Sequence, residues 1–244
     1  MNGFLFELCA ESLQAAVAAD RGGATRIELC ERLNVGGVTP GKQLITETLK
    51  ALSIPVHVLI RPRSGDFVYS AAEYDQMKQE VLWVKHAGAA GVALGVLQAD
   101  RRIHVVLSRE LTEMARPMKV TFHRAFDRTP DLSEALEAVI RAGADCLLTS
   151  GGEPNVLSGA KQLKRMVIQA GDRIPIMAGG GLRLASMAEV LEQTGLHCLH
   201  GSLTRRAVDG PPESGHGRTA AEILVADVRT AVGLMQGHFA AKMI

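Results

Sequence analysis

Three stretches of the chain, RGGATRIEL (21–29), HAGAAGVAL (86–94) and RAGADCLL (141–148), repeat one junction. Each reads as the end of a helix, then Gly, then Ala, then a short apolar run. Glycine just past a helix supplies the left-handed residue that stops it, and the run that follows has the length and composition of a buried strand. Three copies of a helix-to-strand junction imply one repeated architecture.

Working outward, eight strand candidates fall at 4–10, 25–30, 56–62, 90–96, 118–124, 145–150, 174–180 and 197–202. Amphipathic segments separate them. Ser12 opens an Ala-rich helix that Gly22-Gly23 closes, Thr39-Pro40 places Pro at a first helical position, and Ser70/Glu73 and Thr219/Glu222 have capping-box spacing. Eight βα units in 244 residues predict a single (β/α)8 TIM barrel spanning residues 1–244. A doubly wound open sheet is the alternative, but it usually has fewer strands and a Gly-rich first turn, and here that turn is AES. The Pro/Gly-rich segment 207–217 reads as a mobile loop on the active-site face.

Composition narrows the function classes. Lys and Arg number 27 against 26 for Asp and Glu, a formal charge of +1, so the chain carries no electrostatic footprint for nucleic acid or an anionic membrane. No apolar stretch approaches the roughly 20 residues of a membrane span. Glu7 and Glu11 stand where a secretory signal would be basic. Cys9, Cys30, Cys146 and Cys198 include no C-x-x-C pair, which suits reduced thiols in a cytoplasmic protein.

In a parallel barrel, alternate strand residues point inward and ligands sit at the C-terminal ends of the strands. Period two therefore directs Glu7 with Cys9, and Glu28 with Cys30, into the top of the barrel. His57, Leu59 and Arg61 share a face of the third strand, Thr121 and His123 a face of the fifth, and His200 closes the eighth. Buried glutamates need counter-charges, for which Arg61, Arg63 or Arg124 is expected. Ser150-Gly151 and Gly179-Gly180 end the sixth and seventh strands, where exposed N–H groups could hold an anion. Glu7, Glu28 and His123 are then candidate acid–base groups, with Arg61, Arg63, Arg124, Ser150, Gly151, Gly179 and Gly180 as the anion cradle. Two thiols on neighbouring strands suit a soft monovalent ion such as Cu(I), whereas zinc would ask for four ligands. Buried cysteine is also a small core residue, the reading given to Cys146 and Cys198.

The blocks FELCAES (6–12), RIELCERL (26–33) with GGVTPG (36–41), VHVLIRPRSGDFVYS (56–70), VTFHRAFD (120–127), LLTSGG (147–152) and MAGGGL (177–182) follow the order and spacing of the CutC family, named for copper homeostasis. The chain resembles that family from about residue 3 to residue 206. The resemblance implies a cytoplasmic, homo-oligomeric (β/α)8 barrel, a dimer or tetramer, with Cu(I) held by Cys9 and Cys30. A barrel enzyme acting on a small anionic or phosphorylated substrate, with copper incidental, is the alternative.

Overall fold

A computed structural model describes residues 3–203 and 220–242; the 207–217 segment and Thr219 lie outside the described residues. Eight parallel strands close into a barrel in sequence order. They are β1 (Leu5–Ala10), β2 (Arg26–Leu29), β3 (Val56–Leu59), β4 (Gly91–Leu94), β5 (Lys119–Phe122), β6 (Cys146–Thr149), β7 (Ile176–Gly179) and β8 (Cys198–Gly201). The helices are α1 (Leu13–Gly22), α2 (Lys42–Ala51), α3 (Ala71–His86), α4 (Val105–Ala115), α5 (Leu132–Ala142), α6 (Ala160–Ala170), α7 (Leu184–Thr194) and α8 (Ala220–Lys242). No described helix is long and apolar enough to cross a membrane.

The repeated junction has the conformation its sequence requires. Gly23, Gly88 and Gly143 all lie at positive φ, 88°, 90° and 82°, where a β-carbon would be strained. Ala24 and Ala89 then drop into the core and the strand begins. Ser12 caps α1 by accepting from the Ala15 N–H, and Ser70 with Glu73 forms the expected capping box on α3. Pro40 does not open a helix: α2 starts at Lys42 behind Gly41. Thr39 is instead a tie, its hydroxyl donating to Glu80 at 2.8 Å and accepting from the Arg61 N–H at 2.8 Å.

Outward strand residues such as Phe6, Leu8, Ile27, Leu29, Val58 and Val92 pack under the helices in one large apolar core. Inside the barrel the packing divides by height. Leu5, Cys146, Leu148, Met177 and Cys198 form an apolar floor, where burial pushes both thiols up, Cys198 to about 11. Those two cysteines are core residues, as expected. Cys9, Cys30, Leu59 and Ala93 form a small cluster nearer the mouth.

Candidate functional site

Strand stagger decides who meets whom. In the β1–β2 ladder Glu7 pairs with Arg26 and Cys9 with Glu28, an offset of the kind that closing a barrel imposes. Cys9 is therefore level with Glu28, and Cys30 sits one inward position higher. The sulfurs are nonetheless 3.5 Å apart, and Cys9 Sγ lies 3.6 Å from Glu28 Oε1. Both thiols are buried and neither is in a disulfide.

Below them runs a chain of charge. Arg26 Nε donates to Glu7 Oε2 at 2.5 Å, and Glu7 Oε1 lies 2.7 Å from His200 Nδ1. Arg26 is thus the counter-charge that the sequence reading assigned to Arg61, Arg63 or Arg124. It sits two residues before Glu28 on the same inward face, so the period that placed Glu28 also marked Arg26. Burial alone would raise the Glu7 carboxyl; Arg26 and His200 outweigh it and hold the group well below the usual carboxylate range.

Glu28 is treated differently. Burial raises its pKa despite the nearby His200, and among the described residues its Oε2 has no hydrogen-bond partner. The Cys9 thiol is also pushed up, by its contact with Cys30, by burial and by the charge of Glu28. Burial works against a charge on His200, but Glu28 and Glu7 overcome it and its pKa rises. Cys9, Glu28 and His200 each bring one donor atom within 4.8 Å of the other two.

The arginines named from the sequence do other work. Arg61 donates to the carbonyls of Val35 at 3.3 Å, Gly37 at 2.8 Å and Gly65 at 2.8 Å, and lies over the Phe67 ring. It clasps the loop whose short helical turn, Leu33–Val35, sets Leu33 against the cysteine cluster. Arg63 pairs with Glu73 at 2.5 Å and Asp66 at 2.9 Å near the surface. Arg124 binds Asp127 at 2.8 Å and the Ser150 hydroxyl at 3.0 Å.

Asp127 is a residue the sequence reading did not single out. Its carboxylate accepts from the Ser150 N–H at 3.1 Å, the Gly152 N–H at 3.1 Å and the Thr149 hydroxyl, while the Gly151 N–H goes to Thr149 Oγ1 at 2.9 Å. The N–H groups of the Ser150–Gly152 turn are therefore spent inside the protein. Gly179 ends β7 and Gly180 follows it beside Arg124, where a β-carbon on Gly180 would approach the guanidinium to 2.7 Å. His123 packs edge-on against Phe67 and accepts from the Ala125 N–H at 3.3 Å. Among the described residues it makes no hydrogen bond to Glu7 or Glu28.

Fold and site together define a class: a (β/α)8 barrel whose mouth carries a buried thiol–carboxylate–imidazole cluster set on an ion-paired base. The family profile described as the CutC family matches residues 4–205. A copper homeostasis protein cutC homolog of Homo sapiens is 43% identical over 200 residues, covering 81% of this chain and 73% of that one. A CutC family protein of Mesorhizobium japonicum is 45% identical over 196 residues, 80% and 76% of the respective chains. The crystal structure of the putative copper homeostasis protein CutC from Streptococcus agalactiae superposes with a TM-score of 0.77 at 31% identity, covering 82% of this chain and all of that one. This chain belongs to the CutC family.

Proposed function

We propose that this protein binds Cu(I) between Cys9 and Cys30 and serves copper homeostasis in the cytoplasm as a homo-oligomer. The supporting observation is the pair of buried, unbridged thiols 3.5 Å apart, a separation that two metal–sulfur bonds of about 2.3 Å each can span. Soft thiolates favour Cu(I) over harder ions. Binding must displace both thiol protons: Glu28 Oε1, 3.6 Å from Cys9 Sγ, is positioned to receive the Cys9 proton, and the Cys30 proton leaves to solvent. Leu33 and the Arg61-clasped loop keep water from the bound ion.

The test is an anaerobic titration against a Cu(I) chelator. One equivalent should bind, and Cys9→Ser or Cys30→Ser should each weaken it by more than about tenfold, ~1.4 kcal/mol. Unchanged affinity in both variants would sink the reading. The alternative, an enzyme acting on a small anionic or phosphorylated substrate through Glu7, Glu28 and His123, draws support from Arg124, which is partly exposed at the mouth beside Gly180. Its glycine turn after β6 is already filled by Asp127, which favours the copper reading.

A further inference from the structure

We infer that the same pocket contains a second donor set, Cys9 Sγ, the Glu28 carboxylate and His200 Nε2, forming a mixed sulfur–oxygen–nitrogen site for a divalent ion of the zinc class. It goes beyond the copper reading and does not depend on it, although Cys9 is common to both. The sequence count of cysteines pointed away from zinc because it left out the two other donors that the barrel stagger brings to Cys9.

The three residues come from β1, β2 and β8, and all are buried, at 6%, 5% and 8% exposure. One ligand atom from each, a ring nitrogen in the case of His200, lies within 4.8 Å of the other two, and among the described residues no such group of three includes Cys30. The soft pair and the mixed triad are thus separate sets joined at one sulfur.

Glu28 Oε2 has no partner among the described residues. A buried carboxylate oxygen without a donor is costly unless a cation completes it. His200 has its Nδ1 committed to Glu7 at 2.7 Å, and Glu7 is fixed in turn by Arg26 at 2.5 Å. An imidazole whose one nitrogen bonds a carboxylate, leaving the other for an ion, is the outer-shell arrangement of metal-binding histidines. Arg26 and Glu7 are therefore positioning residues for His200.

Charge selects the valence. A thiolate and a carboxylate together contribute two negative charges and a neutral imidazole none, so a divalent ion makes the buried site neutral overall. Binding breaks the Cys9 S–H bond and forms a metal–sulfur bond, and any proton on Glu28 or His200 leaves with the thiol proton to solvent. Three protein ligands also leave one position of a tetrahedral ion open.

The test uses the full-length protein, stripped of metal and kept reduced and anaerobic, with Co(II) as an optical probe and Zn(II) as its competitor. Wild type should take up one Co(II) with a thiolate-to-cobalt charge-transfer band that Zn(II) abolishes. Cys9→Ser should lose the band, and Cys30→Ser should keep it. His200→Asn, whose amide can still bond Glu7, should weaken Co(II) on the order of 100-fold or more, beyond the 10–100-fold typical of losing only an outer-shell partner. Glu28→Gln carries the same direction should the Asn variant fail to fold by circular dichroism. The same variants titrated with Cu(I) separate the two readings, since His200→Asn should retain Cu(I) affinity while Cys30→Ser loses it. A wild type without a saturable band, or a band lost in Cys30→Ser and kept in His200→Asn, would overturn the site.

Discussion

On the side of the mouth built by β8, β1 and β2, polar groups are buried with partners for some and not for others. Glu7 is held by Arg26 and His200, while among the described residues Glu28 keeps a carboxylate oxygen unpartnered and the thiols' only polar contacts are with each other and with Glu28. On the side built by β5, β6 and β7, Asp127 collects two backbone N–H groups, two hydroxyls and Arg124 around one carboxylate. Both sides are rich in polar residues at the ligand end of a barrel. The difference teaches that residue type alone does not mark a binding site: similar polar residues close on themselves around Asp127 and leave a carboxylate oxygen open at Glu28. The first side leaves a carboxylate oxygen open among the described residues, and the second closes its donors around its own anion.

The largest expected effect comes from breaking the first side at its base. Arg26→Met leaves Glu7 buried without its guanidinium, and removing one partner of a buried pair typically costs about 3–5 kcal/mol. Urea denaturation should show that loss, and Glu7→Gln placed on top of Arg26→Met should restore part of it, as contacting residues are not additive. A cost below about 1 kcal/mol would mean that His200 alone holds Glu7 and that the ion-paired base is not what supports the site.

Next in size is the second side. Asp127→Ala strips a charged acceptor from several donors at once, and a loss of about 2–3 kcal/mol is expected from hydrogen bonds to a charged group. The variant also exposes the Ser150 and Gly152 N–H groups beside Arg124, so phosphate should raise its melting temperature while leaving wild type unmoved. Stabilisation of wild type by phosphate would erase the distinction between the two sides and favour the enzyme reading.

How far the sequence alone reaches follows the same division. The barrel was legible because its signals are local: a Gly-Ala junction repeated three times and a period of two in each strand. The inward direction of Glu7, Cys9, Glu28 and Cys30 follows from that period; a thiol contact follows only if Cys9 and Cys30 are level, and the structure instead brings the sulfurs together across the stagger. Arg26 is legible in principle, two residues before Glu28 on the same face, but it opens its strand, away from the C-terminal end where a ligand site is expected. The pairing of Cys9 with Glu28 was not legible, since stagger is a property of the closed barrel. Nor was Asp127: it acts on Ser150 and Gly152, on the next strand's loop, and only the turn at Arg124–Arg128 aims it there. Local pattern gives direction, and closure gives partners.

The last effect distinguishes the two sides by pH and accumulates with each pH unit. His123 is buried and neutral, its pKa pushed down to about 3 by burial and by the neighbouring Arg61 charge. The unfolded chain takes up a proton here as pH falls through about 6.5, while the folded protein does not until about pH 3. The stability tied to neutral His123 is therefore fully present above about pH 6.5 and declines as pH falls toward 3, with a slope of up to about 1.4 kcal/mol per pH unit from this one group. His123→Asn keeps an acceptor for the Ala125 N–H and removes the titration. Urea midpoints measured at steps from pH 7 to pH 4 should converge, the variant losing less than wild type at each step. Parallel curves would place the acid sensitivity at other titrating groups instead, and the neutral state of His123 would have to be given up.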